Sequence, residues 1–388
     1  MSEASSLDSV AGSGPRIGPP GSPALMLLLL CARTEIDTHQ AQRILGLIRQ
    51  GVDWNHLLSL AHRHGLIPIL CKSLEGLGPD IAPPEIRGKL MSIADAFRLR
   101  SLVFLSELVR LQKAFAGAGI EVAPNKGPAL AFYLYGDATL RQTLDIDLLV
   151  RARDAVKARR IILNQGYHAT RHISPDKEAA WVKRHFEFTF RSKSGLSVEL
   201  QWRIVPAYWR FPELDVFAWT KPVRLSLGPI SVPWFEAERL LILLCLHGCK
   251  HKWDTLKWLV DIAQLLRKHP ALDWHATVKC ARAIGADRML ALGLLLSHDL
   301  LDAPLPPEIL HSVRRKPGLA ALAAEACRNA SAVDSPHANT SIELEFLSRL
   351  VERWDMKFAC FALRPVYFLL HRVLRPAATF AVGRTAKR

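Results

Sequence analysis

Two aspartates inside an apolar run constrain this chain more than any other feature. Asp145 and Asp147 interrupt the stretch 144–150, and its other residues have the pattern of a buried β-strand: Leu144, Ile146, Leu148, Leu149 and Val150. Side chains two apart in a strand point to the same face, so the two carboxylates emerge side by side. Like charges this close repel each other, and a divalent cation is the usual solution. The pattern therefore predicts a metal site on a strand; the alternative is the solvated face of an edge strand.

A hairpin downstream supplies a candidate third acid. The segments 185–191 and 196–203 both alternate between apolar and polar residues, as half-buried strands do. In the second segment Glu199 lies on the polar face. A carboxylate at this position can meet Asp145 and Asp147 across a sheet, so we predict that Glu199 completes an acid triad.

An anion site is predicted just before the acid strand. A short strand at 120–123 leads through Lys126 and Gly127 into a helix over 128–135. A helix N-terminus presents free backbone N–H groups and the positive end of the helix dipole, and Lys126 adds a full charge. The alternative is an ordinary turn.

Arg141 lies four residues before Asp145, in the loop that enters the acid strand. Two roles are open for it. Its guanidinium neutralises phosphate charge, or it forms a structural ion pair with Asp137 or Asp145.

The composition is that of a globular, basic protein. Hydrophobic residues make up 49% of the 388 residues and charged residues 22%, which excludes a disordered chain. Lys and Arg exceed Asp and Glu by 51 to 36, and the formal charge of +15 favours anionic partners such as nucleotides, nucleic acid or an anionic membrane surface. No motif that reads RNA or DNA is visible, so specific nucleic-acid recognition is not predicted.

The cysteines and the one early apolar run indicate a cytoplasmic protein. The seven cysteines are odd in number and mostly isolated within apolar helical patterns, which is typical of reduced thiols. The run at 23–32 is shorter than the about 20 residues that span a bilayer, and no basic segment of a signal peptide precedes it.

Four regions follow from the pattern along the chain. Residues 1–22 are predicted as a disordered tail, 23–118 as an N-terminal helical region, 119–235 as an α/β core and 236–388 as a C-terminal helical region. The N-terminal region ends in a long helix over 85–118, for which steps of three and four predict a buried side made of Leu102, Leu105, Leu108, Leu111 and Phe115.

The segment 236–267 carries a polar stripe when it is treated as one helix. Residues at steps of three and four form that stripe: His247, His251, Asp254, Trp258 and Asp261. Three interpretations are open. The stripe is an incomplete zinc site with Asp254 as third ligand, or a helix surface with i,i+4 pairs of Lys250 with Asp254 and Lys257 with Asp261, or one wall of a cleft whose other wall carries the predicted acid triad. We favour the cleft, in which His247, Lys250, His251 and Asp254 contact phosphate or a second substrate that acts as acceptor.

The apolar segment 360–382 is interrupted by Arg-Pro and His-Arg pairs, which argues against a membrane-spanning helix. It is predicted either to dock on the core as a terminal helix or to make weak contact with an anionic membrane surface as a basic interfacial helix.

The order of these elements resembles the DNA polymerase beta-type nucleotidyltransferase superfamily. The stretch KGPALAFYLYGDATLRQTLDIDLLV at 126–150, with VELQWR at 198–203, resembles more closely the bacterial uncharacterised nucleotidyltransferase family, whose members share a KG…R…DIDLLV block. The likeness extends to segments 27–33, 51–70 and 247–266, so it covers most of 24–266.

The resemblance implies an α+β fold, in which a small polymerase beta-like mixed sheet is flanked by N-terminal and C-terminal helical regions. It implies that Asp145, Asp147 and Glu199 are catalytic, bind Mg²⁺ or Mn²⁺, and transfer a nucleoside monophosphate from an NTP to a hydroxyl acceptor on a small molecule, sugar or protein. Lys126, Gly127 and Arg141 then contact the nucleotide.

One departure from the superfamily pattern concerns the phosphate side. Many members carry Gly-Ser before the helix, whereas Lys126, Gly127 and Pro128 stand here. Pro128 has no N–H to donate, so phosphate contact depends on Lys126 and the neighbouring amides. The alternative function is a catalytically silent nucleotide-binding or protein-interaction module of the same fold, because a fold does not fix a function.

Overall fold

The computed structural model describes residues 21–205, 219, 222–331 and 340–351. The predicted tail up to residue 20 and the apolar segment 360–382 lie outside the described residues. The described chain begins with helices, continues into a sheet, and ends with helices.

The N-terminal region contains five helices: α1 (Pro23–Cys31), α2 (Thr38–Arg49), α3 (Trp54–Arg63), α4 (Ile67–Leu77) and α5 (Pro84–Gly117). Asp37 begins α2 with a capping box, and the Asp53 side chain accepts a hydrogen bond at the start of α3. In the long α5, the buried side runs along Phe104, Leu108, Leu111 and Phe115. Leu102 was predicted to lie on this buried side, and that prediction was wrong, because Leu102 is 52% exposed.

A mixed five-stranded sheet follows, and it confirms the predicted α+β fold. Its strands are β1 (Val122–Pro124), β2 (Ile146–Val150), β3 (Tyr167–Ala169), β4 (Glu187–Ser192) and β5 (Ser197–Gln201), in the order β1-β2-β5-β4-β3. Only the β2–β5 pair is parallel; the other pairs in this sheet are antiparallel. Three helices accompany these strands: α6 (Gly127–Tyr135), α7 (Ala155–Asn164) and α8 (Glu178–Arg184).

Strand β2 lies inside the sheet between β1 and β5, and all five of its residues are buried. The strand begins at Ile146, so Leu144 belongs to the preceding loop and is 49% exposed. The predicted burial of Leu144 was therefore wrong. A separate hairpin of β6 (Val223–Leu227) and β7 (Ile230–Trp234) packs beside β1.

From residue 237 onwards, the described residues form helices and the loops between them, as predicted for the C-terminal region. Its helices are α9 (Ala237–Lys250), α10 (Lys257–Lys268), α11 (Trp274–Ala283), α12 (Asp287–Leu301), α13 (Pro307–Arg314), α14 (Leu319–Ser331) and α15 (Thr340–Leu350). The apolar α12 packs against α9 to α11, α13 and α14. Among the described helices, none combines the length and the apolar character that crossing a membrane requires.

The prediction of one helix over 236–267 was wrong, because the chain turns sharply between α9 and α10. Lys252 and Trp253 both adopt left-handed backbone conformations, with φ of 53° and 60°. Such a conformation costs roughly 1–2 kcal/mol for a residue with a side chain. Burial of the whole Trp253 indole, which leaves no exposed surface, offsets this cost. The turn lets α10 pack against α9 and α6 instead of continuing in line with α9.

Gly248 makes room for this indole. A Cβ atom at Gly248 would lie 2.1 Å from the Trp253 ring. We expect Gly248→Ala to lower the free energy of unfolding by about 1–3 kcal/mol, since overpacking forces the ring or the backbone to move. Urea unfolding followed by tryptophan fluorescence measures the change.

Gly46→Ala in α2 is the matched control, because no atom lies within 4 Å of a Cβ placed there. We expect this variant to be neutral or more stable by up to about 1 kcal/mol. A Gly248→Ala protein as stable as the wild type would contradict the packing described for Trp253.

Candidate active site

The pairing of β2 with β5 brings the predicted acids together. In the parallel register Asp147 lies opposite Glu199, and Asp145 stands immediately before β2. One carboxylate oxygen from each of the three side chains lies within 4.8 Å of the other two. Asp147 is only 3% exposed, so this charge is concentrated in a largely buried place.

Lys126 stands beside the acids at the start of α6. Its Nζ lies 3.2 Å from Asp147 Oδ1. Burial on its own lowers the pKa of Lys126, but the fields of Asp147, Glu199 and Asp145 outweigh that effect and leave the pKa raised. The ammonium group is therefore held in its charged form and offsets part of the negative charge.

Gly127 allows the turn into α6 to lie against the acid strand. Its φ is +62°, in the left-handed region that favours glycine. A Cβ atom at Gly127 would lie 3.0 Å from the backbone oxygen of Asp145. On the other side of the turn, Asn125 N donates a 2.9 Å hydrogen bond to the Asp147 backbone oxygen. The start of α6 is thus fitted to the strand that carries the acids.

Gln201 orients two of the carboxylates, a role that sequence reasoning did not assign. Its Nε2 donates to Glu199 Oε2 at 3.0 Å and to Asp147 Oδ1 at 3.3 Å. Its Oε1 accepts from Asn125 Nδ2 at 3.2 Å, which fixes the direction of the amide. The alternation of β5 already placed Gln201 on the same face as Glu199, and this was the signal available in the sequence.

The cluster holds more negative charge than Lys126 alone neutralises. Burial, with Asp147 and Glu187 close by, raises the pKa of Glu199 to about 8. Burial and the Asp147 charge also raise the pKa of Asp145. Glu187 on β4 is a fourth acid at the site that the sequence did not reveal as such, and burial raises its pKa as well. Three convergent carboxylates, of which Asp145 and Glu199 have raised pKa values, have the chemistry of a divalent-cation site.

Arg141 has a different partner from those predicted. Its Nε lies 2.9 Å and 3.0 Å from the two carboxylate oxygens of Asp261 on α10. The guanidinium is buried, and the structure pairs it with Asp261 rather than with Asp137 or Asp145. A contact between Arg141 and a nucleotide stays a prediction.

Two of the predicted residues on α9 face the acid cluster. His247 and Lys250 line a cavity together with Asn125, Lys126 and Gln201. Burial, followed by the nearby Lys126 charge, lowers the pKa of His247 well below its usual value, so the imidazole is neutral. Burial and Lys126 likewise lower the pKa of Lys250.

The other two predicted residues lie near the end of α9. His251 packs against Trp258 with 4.7 Å between ring centroids and an angle of 31° between the rings, and Asp254 accepts a hydrogen bond from Thr255. Within the described part of the chain, the acid triad is the one group of three or more potential ligands that converges on a point suited to one metal ion. The zinc interpretation of His247, His251 and Asp254 was therefore wrong.

The fold and the site together define an α+β protein with a carboxylate cluster on a mixed sheet and a lysine at an adjacent helix N-terminus. The family model described as "uncharacterised nucleotidyltransferase" matches residues 50–302, which is more than half of the chain. The chain therefore belongs to the uncharacterised nucleotidyltransferase family.

Among solved structures, the chain is similar to an antigenic nucleotidyltransferase-like protein from Paracoccidioides brasiliensis. The two share 18% sequence identity with a TM-score of 0.32, and the match covers 54% of this chain and 96% of that chain. No curated protein matches the sequence at a significant level.

The raised pKa of Glu199 gives a prediction for stability. Its folded value of about 8 exceeds the value of about 4.3 for a free glutamate, so the folded state retains a proton that the unfolded state has released. Ionising Glu199 therefore destabilises the metal-free fold as pH rises through this range. In EDTA, we expect the Tm of the wild type to fall relative to that of Glu199→Gln between about pH 6 and pH 8.

The comparison between the two proteins cancels the titration of groups remote from the site, and the remaining difference belongs to Glu199 together with the acids that interact with it. Glu121→Gln, at an exposed acid paired with Arg151, is the control and should follow the wild type at every pH. A difference between wild type and Glu199→Gln that stays constant with pH would show that Glu199 titrates normally.

Proposed function

We propose that the protein is a metal-dependent nucleotidyltransferase, which transfers a nucleoside monophosphate from an NTP to a hydroxyl acceptor. Membership of the uncharacterised nucleotidyltransferase family supports the reaction class. The observation that carries the proposal is the approach of Asp145, Asp147 and Glu199 to within 4.8 Å of one another.

The three carboxylates would hold Mg²⁺ or Mn²⁺, because both are hard cations that prefer oxygen ligands. When bound, a divalent ion neutralises phosphate charge and orients the phosphates for displacement. Gln201 and Asn125 keep Asp147 and Glu199 in one orientation through the hydrogen bonds described above.

Phosphate binding is assigned to the start of α6. Lys126 supplies a charged ammonium beside Asp147, and the first turn of the helix supplies backbone N–H groups from Gly127 and the residues after Pro128. Pro128 occupies the helix position where a missing N–H costs least. The positive end of α6 therefore faces the place where the acids would hold a metal.

In the transfer, the acceptor oxygen forms a bond to the α-phosphorus while the bond to the pyrophosphate oxygen breaks. The proton of the acceptor hydroxyl passes to a carboxylate, for which Glu199 is our candidate. Burial raises the pKa of Glu199 to about 8 in the metal-free protein. A bound divalent cation would lower this pKa and keep the carboxylate ionised, so that it could accept the proton.

The acceptor or nucleoside side is assigned to the residues around the cavity between the sheet and α9, because the cavity itself, at about 20 Å³, has room for only about one water molecule. The polar residues of this cavity are Asn125, Lys126, Gln201, His247 and Lys250. Its apolar wall is formed by Ile204, Val205, Leu240, Leu243 and Leu244. The Lys250 ammonium also lies 5.3 Å from the centre of the Phe186 ring. A substrate with both an apolar part and anionic or hydroxyl groups suits this combination.

The first test is Asp147→Asn. We expect turnover to fall by about a thousandfold or more, because groups that act as a unit in catalysis lose most of the rate enhancement when one is removed. The measurement is release of pyrophosphate and transfer of α-labelled NTP to a panel of hydroxyl acceptors, with Mg²⁺ or Mn²⁺. Glu121→Gln should stay within about twofold of the wild type. A wild type that binds NTP but never releases pyrophosphate would favour the silent nucleotide-binding module.

Lys250→Met tests the cavity. Lys250 lines the cavity and lies outside the acid triad. We therefore expect the variant to have a KM for one substrate about tenfold higher than that of the wild type, and a kcat changed by less than about threefold. This result is typical when a contact made equally in the ground state and the transition state is lost. Lys279→Met, at an exposed residue on α11, is the control. A fall in kcat with unchanged KM values would contradict a binding role for Lys250.

A further inference from the structure

A buried carboxylate on α10 connects the C-terminal helices to the loop that enters the acid strand. Asp261 has no exposed surface. It accepts hydrogen bonds from Arg141 Nε at 2.9 Å and 3.0 Å and from the Tyr135 hydroxyl at 2.9 Å. Tyr135 ends α6, and Arg141 lies in the loop 136–145. One side chain thus joins three segments of the chain.

A second residue on the same helix face holds the next position of that loop. Lys257 precedes Asp261 by one helical turn, so the two side chains lie on one side of α10. Lys257 Nζ donates to the backbone oxygen of Gln142 at 3.4 Å. Two consecutive loop residues, Arg141 and Gln142, are therefore attached to α10.

The attachment lies close to the acid triad along the chain. Arg141 precedes Asp145 by four residues, and the intervening residues form no helix or strand. Thr143 Oγ1 donates to the Arg141 backbone oxygen at 3.4 Å, which connects the attached residue to the next part of the loop. Asp145 then meets the glycine of the α6 turn, as described above.

The chemistry of this contact makes it directional. Arg141 shares the N–H of its Nε between the two oxygens of Asp261, and the opposite charges of the two groups strengthen this hydrogen bond. Arg141 is 6% exposed, so water replaces neither partner readily. A displacement of Asp261 would therefore be passed to the backbone of the loop rather than absorbed by solvent.

We propose that Asp261 is a positioning residue for the acid triad. Through Arg141 it sets the position of the loop that ends at Asp145, so that the packing of α10 determines the geometry of a centre located on the sheet. The inference rests on the proposed function in one respect, namely that the triad binds a divalent cation.

The test measures the Kd of Mn²⁺ by electron paramagnetic resonance in the full-length protein, without nucleotide or acceptor. The part of the bound-Mn²⁺ signal that is lost in the Asp147→Asn variant is assigned to the triad. We expect Asp261→Asn to raise this Kd about tenfold or more, since outer residues that orient metal ligands commonly contribute that much. A folded Asp261→Asn protein with a Kd within about twofold of the wild type would overturn the inference.

Asp299→Asn controls for loss of a buried ion pair in general. Asp299 on α12 is 8% exposed and accepts from Arg314 Nη2 at 2.9 Å, which resembles the Asp261 pair chemically. We expect its Mn²⁺ affinity to stay at the wild-type level. An equal loss in both variants would show that the effect is general destabilisation and would also overturn the inference.

The double variant Arg141→Met/Asp261→Leu separates the effect of the directed contact from the effect of the charge. It also provides the test if Asp261→Asn does not fold. The double variant preserves the net charge, and apolar pairs often replace a buried ion pair without loss of stability. We expect its Mn²⁺ affinity to stay weakened, because the directed contact is gone; recovery to the wild-type Kd would overturn the inference. A wild type that binds no Mn²⁺ at the triad would instead reject the proposed function itself.

Discussion

The mutual repulsion of carboxylates across the β2–β5 pair is the constraint on which the rest of the site depends. Asp147 and Glu199 lie opposite each other in a parallel register, with Asp145 within 4.8 Å of both. Lys126 opposes this charge directly, and Gln201 holds two of the carboxylates in place. Such an arrangement is costly in a folded protein unless a cation is bound for part of its working cycle. The acids therefore indicate function more strongly than they contribute to stability.

Much of this centre was predictable because it is local in sequence. Strand periodicity put Asp145 and Asp147 on one face, and the same periodicity put Glu199 on the polar face of the hairpin; Gly127 marked the turn into α6. Those patterns depend on one strand or one turn at a time. The α+β fold followed from the same local signals, and the mixed sheet confirms it.

The errors have a different physical origin, because they depend on tertiary packing, which a local sequence pattern does not reveal. Arg141 and Asp261 are 120 residues apart, and no local pattern pairs them. The turn at Lys252 and Trp253 looked helical in the sequence, since neither glycine nor proline marks it; burial of the indole against Gly248 decides the backbone there. Leu144 is exposed because β2 begins only at Ile146. Leu102 lies inside α5 but on its exposed side, because tertiary packing decides which side of a helix is buried.

The central claim is that Asp145, Asp147 and Glu199 form a divalent-metal centre for nucleotide chemistry. The most direct measurement is a crystal structure with Mn²⁺ and a non-hydrolysable NTP analogue, in which anomalous scattering locates the metal. We expect a strong anomalous peak coordinated by oxygens of the three carboxylates, with phosphate density towards Lys126 and the start of α6. Ordered nucleotide bound elsewhere, with no anomalous peak among the three acids, would contradict the claim.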